Sequence, residues 1–188
     1  MATDPRWVNI VEKNIEEILI DHAYCEQKAA SNAISLMVNY PEFTDLVTEM
    51  TLIAQEEIAH FGLVHNKLLE RGYTLGSERR DPYVNDLRKF IRKGGSLEQN
   101  FVTKMLLGAM IEARSCERFK ILSEEINDED LRVFYRSLME SEARHYMSFI
   151  KLAKQYAPNT DVDSMWQEFL EFEAELVTSY GKSETMHG

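Results

Sequence analysis

The sequence predicts an all-α protein: a four-helix bundle with one long crossover and an additional C-terminal helix. Three observations carry this expectation. Apolar residues recur at spacings of three and four over most of the chain, the period of helices that bury one face. Glycine (8 residues) and proline (4) are sparse and fall at a few points, the pattern of long elements with short joints rather than of a sandwich or barrel. With 188 residues and 44% hydrophobic content the chain can bury one sizeable core, so a single domain over residues 1–188 is expected.

The elements follow in order. "DPRW" supplies Asp4 as a helix cap and Pro5 in the first turn, and helical spacing continues over about 5–38 with a break near Asn14. "NYPEF" interrupts it at Pro41. A second helix over about 42–71 stops at Gly72, which suits a C-terminal cap. The stretch from Tyr73 to Gly95 is too long for a hairpin and reads as a crossover with a short helix around Val84 to Arg92. Ser96 and Gln99 form a capping box opening a third helix over about 97–124. "NDED" caps a fourth over about 129–156, ending before Pro158, and a fifth is expected over about 163–180.

Composition excludes several classes. The start, "MATDPRW", has no basic region followed by an apolar run, and no uncharged apolar stretch is long enough to cross a bilayer, so a soluble, cytoplasmic protein is expected. Cys25 and Cys116 make neither a disulfide framework nor a Cys-x-x-Cys site, and read as reduced thiols in the core. Electrons for any redox chemistry must then come from outside the chain.

The inward stripes carry unexpected charge. On the first helix His22, Glu26, Ala29, Ala33 and Leu36 share a face; on the second, Met50, Ile53, Glu57, His60 and Val64; on the third, Met105, Ala109, Glu112, Cys116 and Phe119; on the fourth, Leu131, Tyr135, Leu138, Glu142, His145, Phe149 and Leu152. Each helix sends one Glu to its apolar stripe, and two add a His one turn later. A buried Glu or His costs several kcal/mol unless paired or coordinated. Glu26 precedes Glu57 by 31 residues and Glu112 precedes Glu142 by 30, so the chain reads as two copies of a helix pair carrying Glu, then Glu-x-x-His. That is the ligand arrangement of dinuclear carboxylate bundles. Four carboxylates and two imidazoles suit two ferrous ions, with four negative charges against four positive.

A single Glu-x-x-His is more often a surface pair than a ligand, and a third, Glu184 with His187, has no partner Glu at the matching distance upstream; it is set aside as noise. Ala29, Ala30, Ala33, Ala54, Ala59, Gly62, Gly108, Ala109 and Ala113 surround the ligand positions, leaving room for dioxygen or serving close helix packing. Storing iron, scavenging peroxide in the manner of ferritins or rubrerythrins, and activating dioxygen to oxidise a substrate are all open to such a bundle.

Four stretches carry a family resemblance: "DHAYCEQKAA" (21–30), "AQEEIAHF" (54–61), "IEARSCERF" (111–119) and "MESEARHY" (139–146). They resemble the helices of the tRNA 2-methylthio-isopentenyladenosine hydroxylases, MiaE-like members of the ferritin-like superfamily, over roughly residues 5–155. The resemblance implies an oxygen-dependent di-iron monooxygenase that hydroxylates the isopentenyl side chain of the modified adenosine in tRNA. By the same carry-over Glu57 and Glu142 bridge two iron ions, Glu26 with His60 completes one, and Glu112 with His145 the other. Dioxygen is then the co-substrate, and a separate reductase or ferredoxin supplies electrons; a monomer or small homo-oligomer is expected. The acidic balance, −11 in all and −7 once four ligand carboxylates are set against iron, should repel tRNA. A local basic surface is therefore required. The crossover offers Arg79, Arg80, Arg88, Lys89, Arg92 and Lys93, with Tyr83 and Phe90 to stack on an unpaired base, and Arg114, Arg118 and Arg132 stand next in line.

Overall fold

The computed structural model describes residues 3–78, 82–91, 94–178 and 185–187. Among the described residues the regular structure is helical: α1 (Trp7–Lys13), α2 (Ile15–Asn39), α3 (Thr44–Glu70), α4 (Pro82–Leu87) with a 3-10 turn over Arg88–Phe90, α5 (Leu97–Glu125), α6 (Glu129–Tyr156) and α7 (Val162–Val177). The chain divides into two compact units, one of residues 10–80 with 184–186, the other of 1–9, 81–183 and 187–188.

In the first unit, α2 and α3 pack along their length. Asn14 separates α1 from α2; its side chain donates to the Ile10 carbonyl at 2.7 Å, competing with the backbone ladder. Pro41 follows the end of α2, where a residue before proline is pushed out of the helical region. Gly72 ends α3 at φ +76°, with its own N–H on the Leu69 carbonyl (3.0 Å) and the Tyr73 N–H on the Leu68 carbonyl (3.0 Å). This double closure satisfies carbonyls that the last turn would otherwise leave open, and it needs a residue tolerant of positive φ.

In the second unit α5 and α6 form the corresponding pair. The capping box is present: Gln99 N donates to Ser96 Oγ at 3.1 Å and Ser96 N to Gln99 Oε1 at 3.0 Å. Asp128 caps α6 through the Leu131 N–H at 3.1 Å. Asp161, two residues before the expected start, caps α7 through the Ser164 N–H at 3.0 Å. The helix expected over Val84 to Arg92 is shorter, giving way to the 3-10 turn at Arg88. There Phe90 stacks on Phe169 of α7 with centroids 4.3 Å apart.

The heptad-like stripes are the buried faces. Every named position of the α3 and α6 stripes is buried, as are His22, Glu26, Ala33 and Leu36 on α2 and Met105, Ala109, Glu112 and Phe119 on α5. The small residues divide. Ala59 is solvent-exposed, so it lines no interior space. A Cβ at Gly108 would stand 2.6 Å from Phe149 Cε1, so the missing side chain there serves contact between α5 and α6 and leaves no room for a gas molecule.

The two helical glycines give opposite expectations. Gly108→Ala should destabilise by about 1–3 kcal/mol through overpacking against Phe149. Gly62→Ala, with nothing within 4 Å of the added carbon, should stabilise by about 0.5–1 kcal/mol through helix propensity. Denaturant melts of the two variants check the pair; equal shifts would contradict the packing described.

Candidate metal centre

Each unit holds two carboxylates and an imidazole at one level of its helix pair. In the first, α2 contributes Glu26, and α3 contributes Glu57 and His60, one turn apart and therefore on one face. They are 4%, 0% and 8% exposed. His60 Nδ1 lies 3.6 Å from Glu26 Oε2 and 3.9 Å from Glu57 Oε2. In the second unit α5 contributes Glu112, and α6 contributes Glu142 and His145, with His145 Nδ1 3.9 Å from Glu112 Oε2. Within each set, one ligand atom from every residue lies within 4.8 Å of the others.

These separations are informative. At 3.6–3.9 Å the imidazole and carboxylate atoms are beyond hydrogen-bond range. Two donors that each sit about 2.1 Å from one first-row metal stand about 3–4 Å apart. Nitrogen with carboxylate oxygen suits a transition metal such as iron, whereas an all-oxygen set would suit magnesium or calcium. The residues therefore fit divalent iron.

Electrostatics point the same way. Burial works to raise the Glu26 carboxyl, but its polar neighbours, Glu57 and His22 first and then His60, outweigh it and hold Glu26 well below the usual carboxylate range. His22 is the residue the ligand assignment left out. Its Nε2 lies 2.5 Å from Glu26 Oε1, one turn away, and in donating to the carboxylate it leaves Oε2 directed to the His60 side. The signal was present as a His-x-x-x-Glu spacing on the apolar stripe.

The other singled-out residues go elsewhere. His187 joins neither set, but it is not idle: it is 2% exposed, its Nε2 lies 3.0 Å from Ser115 Oγ, and its ring stacks against Tyr83. Glu184 lies outside the described residues. Arg114 and Arg118 are 5% and 2% exposed and cannot meet RNA. Arg114 pairs with Glu117 at 2.7 Å and with Glu173 of α7, and Arg118 lies over the Trp7 ring at 3.9 Å. Burial, first, and the neighbouring Arg114 charge bring the Arg118 guanidinium down to about 10. On the crossover, Arg88 and Lys89 are exposed, with Lys89 held by Asp86 at 2.6 Å. Arg79, Arg80, Arg92 and Lys93 lie outside the described residues. Tyr83 is fully buried with its hydroxyl on Glu173, and Phe90 is stacked on Phe169, so neither offers its face to a base as expected. Cys25 and Cys116 form no disulfide and are half-buried, and burial raises Cys116 above the ordinary thiol value.

Comparison with known proteins shows the family. The family model described as MiaE, tRNA-(ms2io6A)-hydroxylase, matches residues 1–188, including the C-terminal region in which the sequence alone showed no likeness. The tRNA 2-(methylsulfanyl)-N(6)-isopentenyladenosine(37) hydroxylase of Pseudomonas putida is 37% identical over 177 residues, 94% of this chain and 85% of that protein. The hydroxylase of the same name from Salmonella typhimurium is 30% identical over 222 residues, 93% of this chain and 81% of that protein. A solved structure, Protein 43 with aldehyde deformylating oxygenase activity from Synechococcus, superposes with a TM-score of 0.92 at 32% identity, covering 100% of this chain and 94% of that one. The fold class is thus the all-α, ferritin-like one that the sequence predicts. No helix of the described residues is long and apolar enough to cross a membrane.

The His22 contact is testable through metal affinity. Losing the partner that orients a ligand typically costs 10–100-fold in binding. His22→Phe should therefore weaken ferrous binding by about that factor, and His22→Gln, which keeps a donor, by less. Competition titration against a chromophoric chelator reads both. Wild-type affinity in His22→Phe would remove the orienting role.

Proposed function

The chain belongs to the MiaE family of tRNA hydroxylases, and from that membership we propose that it is an oxygen-dependent di-iron monooxygenase acting on the isopentenyl side chain of 2-methylthio-isopentenyladenosine in tRNA. The observation that carries this reading is the pair of buried Glu-Glu-His sets, one on α2 and α3, the other on α5 and α6. Glu26, Glu57 and His60 hold one iron, and Glu112, Glu142 and His145 the other. Family match and solved relative both span the whole chain, which supports one working ferritin-like domain.

Iron bound in these sets supplies the reduction of dioxygen and the transfer of one of its atoms to a C–H bond. The protein contributes the rest. Burial keeps bulk water from the ligands, His22 keeps Glu26 ionised, and α2, α3, α5 and α6 fix the side chains before metal arrives. Hydroxylation takes one oxygen atom into the substrate and sends the other to water, which requires two electrons and two protons. With half-buried, single thiols and no cysteine cluster, the chain depends on a separate reductase or ferredoxin as donor. The tRNA substrate places the enzyme in the cytoplasm, as a monomer or small homo-oligomer. The exposed Arg88, and Lys89 with the other crossover cations Arg79, Arg80, Arg92 and Lys93, contribute to holding tRNA. The relatives carry hydroxylase names, which does not favour iron storage or peroxide scavenging.

Purified protein reconstituted with ferrous iron should hold about two irons per chain and hydroxylate modified tRNA when given a reductant. Glu112→Ala and His145→Ala should each lose metal and activity together, at least tenfold in turnover. A large shell by light scattering, with many irons taken up per subunit, would replace this reading by storage.

A further inference from the structure

We propose that the outward face of the α2–α3 pair is where a second copy of this chain docks, an inference that stands whatever the substrate. Between residues 27 and 39 α2 exposes seven side chains, and between 52 and 69 α3 exposes seven more; none of the fourteen is charged. In a chain with 28% charged residues, fourteen positions should carry about four charges, and more at a surface, where charged side chains concentrate. Apolar groups gather there instead. Of the ten large apolar side chains exposed among the described residues, six lie on this face: Ile34 and Val38 of α2, and Leu52, Ile58, Leu63 and Leu69 of α3. Val38 is 74% exposed and the others 47–53%.

These positions form one surface. At about 100° per residue they fall in an arc of about 160° on α2 and about 140° on α3. Thr51 Oγ1 donates to Met37 Sδ at 3.1 Å, which sets the two arcs side by side. The face is then about 18–26 Å long and two helices, about 20 Å, wide, and with side-chain relief it offers on the order of 800 Å², the area each partner gives to a stable interface. Charge stays at its margins. Lys28 is paired with Glu78 at 2.8 Å, Lys67 with Glu70 at 3.0 Å, and Glu56 is half-buried at the inner edge.

The chemistry of the face selects its occupant. Nucleic acid is held by cations, and none is exposed here. A partner recognised by charge would need the carboxylates that give this chain its net −11, and the face lacks those too. Two copies of the chain repel one another wherever their carboxylates meet, so an uncharged face is where they can approach closely. The face also matches itself. Its aliphatic side chains pack against their like, and the amides of Asn32, Gln55 and Asn66, without a partner among the described residues, both donate and accept, so each can pair with an identical group across a two-fold axis. A lysine or a glutamate could not.

The test is the mass of the full chain in solution, read by light scattering over a range of concentration. Wild type should run as a dimer of 21.9 kDa chains. The double variant Ile58→Glu, Leu63→Glu sets carboxylates against their own copies and should run as a monomer, its dissociation constant raised about a hundredfold or more. Helix content and iron uptake should stay. The variant Ile58→Lys, Leu63→Lys should also be monomeric alone, and mixing it with the Glu variant should restore dimers, which a misfolded chain could not do. If the α3 variants lose helix content, Val38→Glu on α2 decides in their place. Wild type at 21.9 kDa throughout overturns the proposal, as does a wild-type assembly of any size that the Glu variants leave intact. A monomer that uses Ile58 and Leu63 to hold a different protein gives the face to that partner and overturns it too. None of these outcomes touches the hydroxylase reading, which is measured separately on modified tRNA.

Discussion

The structure depends on burying four carboxylates and two imidazoles together inside helix pairs whose buried faces are mostly aliphatic and aromatic. An isolated carboxylate moved from water into such a core is strongly disfavoured, and proteins respond by pairing it, protonating it or coordinating it. Each helix pair answers with the same device: two glutamates and a histidine brought within a few ångström, the histidine one turn from one glutamate and across the interface from the other. That demand accounts for much of the local architecture. The helices that carry them must be long enough to hold a polar turn between apolar turns above and below, as Ile53 and Val64 do for Glu57 and His60 and as Leu138 and Phe149 do for Glu142 and His145.

α5 shows how the same difficulty is met by pairing alone. Two residues beyond Glu112 the helix buries Arg114, whose guanidinium pairs with Glu117 and with Glu173 of α7. Tyr83 donates to that same Glu173 at 3.0 Å, and Thr3 donates to Glu117 at 2.7 Å. A buried cation and two carboxylates thus draw in the N-terminal segment, the crossover and α7 around one turn of α5. Arg118, a turn further on, takes an aromatic face instead of an anion. Such a network gives little net stability compared with an apolar core of equal volume, yet breaking one member strands the others. Its use is directional: it fixes which segments pack beside α5.

How much of this could be read from the sequence follows from the range of each interaction. The helices, the Ser96–Gln99 box and the Gly72 stop depend on neighbours within about five residues, and the letters state them. The six buried Glu and His positions stood out in the sequence because burial and charge conflict there, and a conflict repeated at 30 and 31 residues is unlike noise. His22 was seen on the apolar stripe, but its role was not, since a histidine on such a face has many satisfied states and only the 2.5 Å contact selects one. Arg114, Arg118, Tyr83 and Phe90 were read as surface groups because their partners, Glu173, Trp7 and Phe169, lie tens of residues away. For the same reason the tail looked idle: His187 meets Ser115 across 72 residues, a distance at which no spacing rule operates.

The surface poses the converse problem, because there the sum hides the parts. Net charge governs long-range repulsion, but within a Debye length of about 8–10 Å at moderate salt a docking strand responds to the charges directly beneath it. An acidic protein can therefore bind a polyanion, provided its cations are gathered on one face and its carboxylates kept elsewhere. A long helix achieves this by its period alone. α6 needs an apolar-and-ligand side to close its unit, so the residues left facing water are free to be chosen for charge without disturbing the core. Arg136, Arg144 and Lys151 of α6 are exposed, whereas Arg114 and Arg118 on α5 are buried. One amphipathic helix can in this way bury a carboxylate and an imidazole on its inner face and carry cations on its outer one, with the two separated by the backbone that positions both.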